Sequence, residues 1–502
     1  MTTTQTASLT RREDWRIRPL IFVLMLMAAM PVGIVHGFDS GSTGVDGPFT
    51  PSANITLTIP PSGIFNFTTI TIPAGVTVTF AKNATNTPVI MLASGSVSIA
   101  GTIDVRGGAG AAAGTAGNGS VTDDGVPGEG GPGGFRGGAG GLGGGFGGSL
   151  GVRGGDGVGP GGGNGGSLTA GSPQSGGGGS FATVGFTSTD GNLQSSATAG
   201  PVYGTSRLLP LVGGSGGGGG GGGSGFNGAG GGGGGGTLLL ASSGSINFIS
   251  GSSILADGGA GGISLGTGCG GSGGQGSGGA IRLIATTISG TGSVFARQGG
   301  FNASGQRCDN LPGGGGGDGR ISLEATTILF TGTSTPNYLP GTPGQVIAPG
   351  LPTLTITSVG GVTAPAAPSG SFATPDITLP IGTTSPVTVN LAATNIPVGT
   401  VISVTRFLER GAKAAVNSTG LSGADASATT ATASIALSSG VTAVVMASAT
   451  FTVQTASNPF PTFAEGERVE KIRVAATFGG PSTIFLITES GKEVPYQGAQ
   501  MN

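Results

Sequence analysis

Residues 238–259 read LLLASSGSINFISGSSILADGG, and they follow a tract, residues 213–236, that is almost pure glycine. Within the stretch, apolar and small polar residues alternate with a period of two, the pattern of a strand with one buried face. A Ser-Ser-Gly turn and a Gly-containing corner break the alternation, and the stretch closes on Gly-Gly. The same design recurs at Val89–Gly108 (VIMLASGSVSIAGTIDVRGG), Ile281–Gly300 (IRLIATTISGTGSVFARQGG) and Ile321–Thr333 (ISLEATTILFTGT). Each repeat reads as an alternating strand, an Ala-Ser/Thr turn, a second strand, a corner and a third short strand. The period places Val97, Ile99, Ile103 and Val105 on one face, and Ile246, Phe248 and Ile254 repeat it.

No such unit buries its apolar face alone, so the units must stack. Three short strands per unit with tight corners predict a right-handed parallel β-helix. Upstream, Ile55–Ala81 reads as its first coil and a half, with Pro at the corners. The glycine tracts follow the Gly-Gly ends and precede the next repeat, so they are insertions within the stack (about 106–236, 258–280 and 299–319), not links between domains. Glycine, 112 of 502 residues, is about three times its usual share of roughly 7%. It follows no strict three-residue period, which excludes collagen. The tracts are expected either as polyproline-II-like strands packed side by side, because glycine lets backbones approach closely, or as loose loops. The expected organisation is a signal segment at 1–37, the β-helix at 38–345, a linker at 346–352 and a further domain at 353–502. In that last part, strand candidates at Thr353–Val359, Asp376–Pro380, Val387–Ala393, Thr400–Phe407, Thr429–Leu437 and Val445–Gln454 predict an immunoglobulin-like β-sandwich. The tail Glu465–Val494 either completes the sandwich or packs on the stack.

The N-terminus places Arg11, Arg12, Arg16 and Arg18 before an apolar run, Leu20–Val35, and then small residues. This is the layout of an export signal, with cleavage expected after Gly37. The alternatives are an uncleaved anchor, the one route by which the chain would hold to a membrane, and a twin-arginine signal. The only His (His36) and the only Trp (Trp15) lie in this segment. A chain cleaved after Gly37 has no histidine, which removes Ser-His-Asp and Cys-His catalysis and histidine metal sites. Cleavage also takes 20 basic and 22 acidic residues to 16 and 20, too sparse a charge for nucleic-acid binding.

Phosphate-binding loops and tandem calcium nonapeptides are missing, and G-x-G-x-x-G arises by chance at this glycine content. No cofactor is expected. Cys269 and Cys308 each follow a Gly-Gly end by about ten residues. Equivalent places on neighbouring repeats and an oxidising compartment predict a disulfide between them, with two free thiols as the alternative. Asp257 and Arg297 align near the end of the third strand together with Arg106. They are expected as a salt-bridged ladder at an exposed corner, with a catalytic base as the alternative. Asp318, Arg320 and Glu324 form a second charged group, expected as a solvated edge, with Glu324 beside Asp257 as the coil-face carboxylates a polysaccharide-cleaving protein would use. Six Asn-x-Ser/Thr sequons begin at Asn54, Asn66, Asn83, Asn118, Asn302 and Asn417; they carry glycans only in a host with that machinery.

The signal, the corner pattern SVSIAGTIDVRGG (Ser96–Gly108) and the glycine insertions together resemble exported bacterial proteins with adhesin-like or pectin-lyase-like β-helices. The resemblance implies a secreted or cell-surface protein whose partners are polysaccharide or other surface and matrix proteins. Hydrolases of that group carry Gly-His-Gly and paired Asp. Here the first is impossible without a mature histidine, and the paired acid Asp123-Asp124 lies in a glycine insertion. The chain therefore reads as a non-catalytic adhesin-like or structural protein. A polysaccharide-binding or polysaccharide-cleaving protein is the second reading, and a binder of ice or a crystalline polymer the third.

Overall fold

The computed structural model describes residues 38–114, 124–144, 151–169, 172–188, 197–204, 206, 208, 211–264, 270–300, 312–346, 352–365, 368–372, 374–438, 440–452, 463–464, 467–477 and 483–495. The export segment and both cysteines, Cys269 and Cys308, lie outside them. The described residues are all-β with no helix, and Phe38–Asn502 forms one compact unit.

The N-terminal part is built on two parallel sheets. One has six strands in the spatial order Ile55–Thr58, Thr77–Ala81, Thr102–Asp104, Ser253–Leu255, Ser293–Phe295 and Thr333–Thr335. The other runs from Leu339–Gly341 through Arg320–Phe330, Ala280–Gly290 and Thr237–Phe248 to Val89–Ala93 and Ile64–Phe67. The register of this second sheet aligns the repeats as their sequences do: Leu238 pairs with Val89, Ile281 with Leu238, and Ile321 with Ile281. Alternation puts Val97, Ile99, Ile103, Val105, Ile246, Phe248 and Ile254 into one apolar core between the sheets.

One feature of the repeat differs from its sequence reading. Val89–Ala93 and Val97–Ile99 are separate strands, but their counterparts in the later repeats fuse into the single long strands Thr237–Phe248, Ala280–Gly290 and Arg320–Phe330. In Thr237–Phe248 the Ser-Ser-Gly turn is a bulge, with a register shift between Ser242 and Ser245, whereas Ala280–Gly290 and Arg320–Phe330 pair through their turns without one. The Ser242 hydroxyl satisfies the ladder locally by donating to the Gly95 carbonyl at 2.7 Å. A bulge bends a strand without ending it, so two sequence segments become one element.

The glycine tracts are ordered where described, in a pattern with a period of three. Gly216, Gly219 and Gly222 donate their N–H groups to the carbonyls of Val158, Gly155 and Val152. Gly217, Gly220 and Gly223 donate to Gly232, Ala229 and Phe226, and Gly218 and Gly221 to Gly177 and Gln174. Three other segments donate to the carbonyls of the same tract: Gly138 and Gly141 to Gly217 and Gly220, Gly163 and Gly166 to Gly216 and Gly219, and Gly274 and Gly271 to Gly218 and Gly221. Three residues per turn is the polyproline-II helix, so successive N–H groups of Gly216–Gly223 point to three different neighbours. The tract lies at the centre of a bundle cross-linked through its backbone. A Cβ at Gly220 would collide with the Gly271 carbonyl oxygen, so bare backbone is a requirement there. Among these tracts sits a small core of Phe181, Tyr203, Leu208 and Val212. The Tyr203 hydroxyl donates to the Gly213 carbonyl at 2.5 Å and accepts from Ser215 at 2.8 Å. Burial pushes this phenol far above its ordinary range.

From Thr353 the pairing becomes antiparallel. A four-stranded sheet contains Thr353–Val359, Val387–Thr394 and Thr429–Ile435. A seven-stranded sheet contains Val401–Leu408, Ala414–Gly420, Ala443–Thr452, Glu467–Thr477 and Thr483–Thr488. Their inward residues share one apolar cluster, and the tail contributes strands to it. Residues 376–380, read as a strand, are not one. Asp376 instead accepts N–H groups from Ser369 and Gly370 and closes a loop. The hairpin strand Ala414–Gly420 escapes the apolar pattern because it lies at a sheet edge and is largely exposed.

Candidate functional site

The outer faces of the two parallel sheets differ. On the second sheet, the outward residues Leu92, Leu239, Ala241 and Ile284 are buried beneath Phe38, Leu211 and Val346. On the six-stranded sheet the outward residues are half-buried to exposed and form columns set by the register. Thr77, Thr102, Ser253, Ser293 and Thr333 pair in succession, a ladder of hydroxyls at the strand spacing of about 4.8 Å. Thr102 and Ser253 hydrogen-bond each other at 3.0 Å. Beside this ladder runs a mixed column of Asp104, Leu255, Phe295 and Thr335.

A third column, two residues further on, contains the predicted charged positions Arg106, Asp257 and Arg297. Arg297 grips Asp257 on the adjacent strand with two bonds, Nε to Oδ1 at 3.1 Å and Nη2 to Oδ2 at 2.7 Å. Arg106 does the same to Asp104 of its own strand, with Nη2 at 2.6 Å from Oδ2. These hydrogen bonds, more than the surrounding charge, hold both guanidiniums above their usual range. Arg297 also lies over the Phe295 ring, 4.2 Å from its centroid. Arg297 and Asp257 thus pair across neighbouring repeats, whereas Arg106 pairs within its own, so the column is two separate pairs and not a continuous ladder; Asp257 is only 8% exposed while the two arginines reach solvent. The short Asp sits in the corner and the long Arg covers it.

The predicted second group does not stay together. Asp318 joins the first: its carboxylate accepts the Gln298 N–H at 3.2 Å, and with Asp104, Arg106, Asp257 and Arg297 it lines an open groove of about 900 Å³. Phe186, 63% exposed, donates its N–H to the Gly315 carbonyl at 2.7 Å. Arg320 turns the other way, toward the Tyr203 and Gly204 carbonyls and the Phe181 ring.

Glu324 corrects the expectation of a solvated edge, being buried at 4% exposure. Its carboxylate takes both Nε and Nη2 of Arg282, at 2.7 and 2.8 Å, together with the Ser322 hydroxyl and the Gly344 N–H. Arg282 donates in addition to the Gln345 carbonyl at 2.9 Å. The covered outer face of the second sheet explains the burial, since both residues point into that face. Arg282 was missed in the sequence, although a lone cation in IRLIA with a lone acid at the neighbouring site of SLEA was a signal for it.

No group of three or more His, Cys, Asp or Glu among the described residues is arranged to hold a metal ion. Comparison with protein families, with curated proteins and with solved structures found no match.

Proposed function

We propose that the chain is an exported, non-catalytic surface or extracellular-matrix protein. Its parallel part is a right-handed β-helix that acts as a stiff spacer, and its antiparallel part an immunoglobulin-like β-sandwich. The glycine bundle acts as a contact layer whose first partner is the antiparallel part of the same chain. Polysaccharide or other matrix proteins are the external partners.

The observation that carries the non-catalytic reading is the state of the acids. A general acid or base needs an accessible carboxyl with a proton affinity near the working pH. Asp257 and Glu324, the best catalytic candidates in the sequence, are each clamped by a bidentate arginine. In each pair the arginine engages both carboxylate oxygens and covers them, so neither acid is free to approach a substrate. The open columns of the six-stranded sheet and their groove support a binding role instead.

The test is to express the full chain with a C-terminal epitope and fractionate the cells. The epitope should appear outside the cytoplasmic membrane on a polypeptide whose N-terminus is Phe38. Retention of full-length chain in the cytoplasm overturns the export reading. Release of new reducing ends from a polysaccharide panel by the purified protein overturns the non-catalytic one.

A further inference from the structure

We propose that the open outer face of the six-stranded sheet binds an extended, neutral, β-1,4-linked polysaccharide chain lying along the stacking axis. This rests on the extracellular reading above and assigns it a site and a ligand class.

The face is one parallel sheet of short strands, and its side chains repeat in register at the strand spacing of about 4.8 Å. Its first column, from Thr77 to Thr333, offers hydroxyls that both donate and accept. Its second column places the apolar surface of Leu255 and Phe295 beside them, with the Arg297 guanidinium stacked on the ring. A β-1,4-linked chain is a straight ribbon with hydroxyls on its edges and C–H groups on its faces, and its sugar repeat is close to the strand spacing. It can therefore meet both columns at once over several strands. A coiled or branched polymer meets one or two positions only. The charge pairs select further: Arg106 with Asp104 and Arg297 with Asp257 neutralise each other, and Asp318 adds a negative charge to the groove rim. A polyanion gains nothing there.

The site is distinct from the buried carboxylate of Glu324 and from the glycine bundle. The second sheet offers no equivalent, because its outer face is already covered by the chain itself.

The test uses the mature chain and three probes: microcrystalline cellulose, soluble dextran and polygalacturonate. Cellulose should deplete the protein from solution and dextran should not retard it in an affinity gel. The double variant Ser253→Arg, Ser293→Arg places bulk on two half-buried, outward positions and should weaken cellulose binding by about tenfold or more. A second double variant, Ser253→Ala with Ser293→Ala, removes the hydroxyls without bulk. It should melt as the parent does and still lose part of the affinity. Equal cellulose binding by parent and both variants places the site elsewhere and overturns the proposal. So does failure of cellulose to bind the parent, or tight, salt-sensitive binding of polygalacturonate. If the protein is exported yet binds no cellulose, this inference falls and the extracellular reading stands. If it is retained inside the cell, the extracellular reading falls and the binding result is judged separately.

Discussion

Glycine is used in two different ways along this chain, and one pair of positions separates them. At Gly220 the backbone touches neighbours from several tracts, and a methyl group would overlap the Gly271 carbonyl oxygen. At Gly300 an added Cβ meets nothing within 4 Å. Gly220→Ala must therefore push two hydrogen-bonded segments apart, and the strain falls on bonds of Gly216–Gly223 in both directions. Overpacking of this kind costs about 1–3 kcal/mol and more where only backbone can move. Gly300→Ala should be neutral or slightly stabilising, because alanine restricts the unfolded chain. Thermal unfolding of the two variants checks this. A clear loss of stability for Gly220→Ala and none for Gly300→Ala is the expected outcome, and equal effects would mean that the tract is not packed in solution.

Strand pairing explains what was readable in the repeats and what was not. The stacked strands were legible because Val97, Ile99, Ile246 and Ile254 alternate with small polar residues, and that period has one structural meaning. Fusion of the first two strands into Thr237–Phe248 was not legible, since a bulge and a corner look alike in Ser-Ser-Gly. The order of the glycine bundle was equally hidden. A run without side chains carries no face, and the partners of Gly218, which are Gly177 and Gly274, lie in remote tracts. The charged positions were read in part. Asp257 and Arg297 follow from register alone, whereas Glu324 needed the knowledge that Val346 and Gln345 fold back over the sheet. That fold-back makes the Arg282–Glu324 pair a staple between Ala280–Gly290, Arg320–Phe330 and the segment after Leu339–Gly341. Arg282→Met alone strands the Glu324 carboxylate without its charge partner and should cost roughly 3–5 kcal/mol. Replacing both, Arg282→Met with Glu324→Leu, removes the charges together and should recover most of that loss. Denaturant unfolding of the two single variants and the double variant measures the coupling. A double variant as unstable as the sum of the singles would mean that the pair is not the staple.

The parallel and antiparallel parts meet through the glycine bundle, and this contact bears on how the whole chain behaves. Val158 of the bundle clusters with Phe372, Phe407 and Val444 of the antiparallel part, and Phe135 and Met446 pack against them. Arg136 lies 5.0 Å from the centroid of the Phe372 ring. Around this apolar patch, Arg410 donates to the Gly140 carbonyl at 2.9 Å and the Lys413 N–H to Asp156 at 3.0 Å. Asp156 in turn is held inside the bundle by Arg153 and the Gly165 N–H. The junction is thus apolar at its centre and bonded at its rim to the Gly140 carbonyl and the Asp156 carboxylate, so the antiparallel part covers a bundle face that would otherwise leave these groups to water. Burial of Val158 and Phe407 together predicts that the two parts unfold as one cooperative body and not as two independent ones. Phe407→Ala opens a cavity at that centre, and for a well-packed ring the cost is about 3 kcal/mol. If the two parts unfold as one body, this substitution in an antiparallel strand lowers the stability of the distant glycine tracts as well. Hydrogen exchange reads that directly: the amides of Gly138 and Gly141, bonded to Gly217 and Gly220, should lose protection in Phe407→Ala. Unchanged protection at those amides, with faster exchange confined to residues beyond 352, would show that the junction transmits no stability and that the bundle stands without the module docked on it.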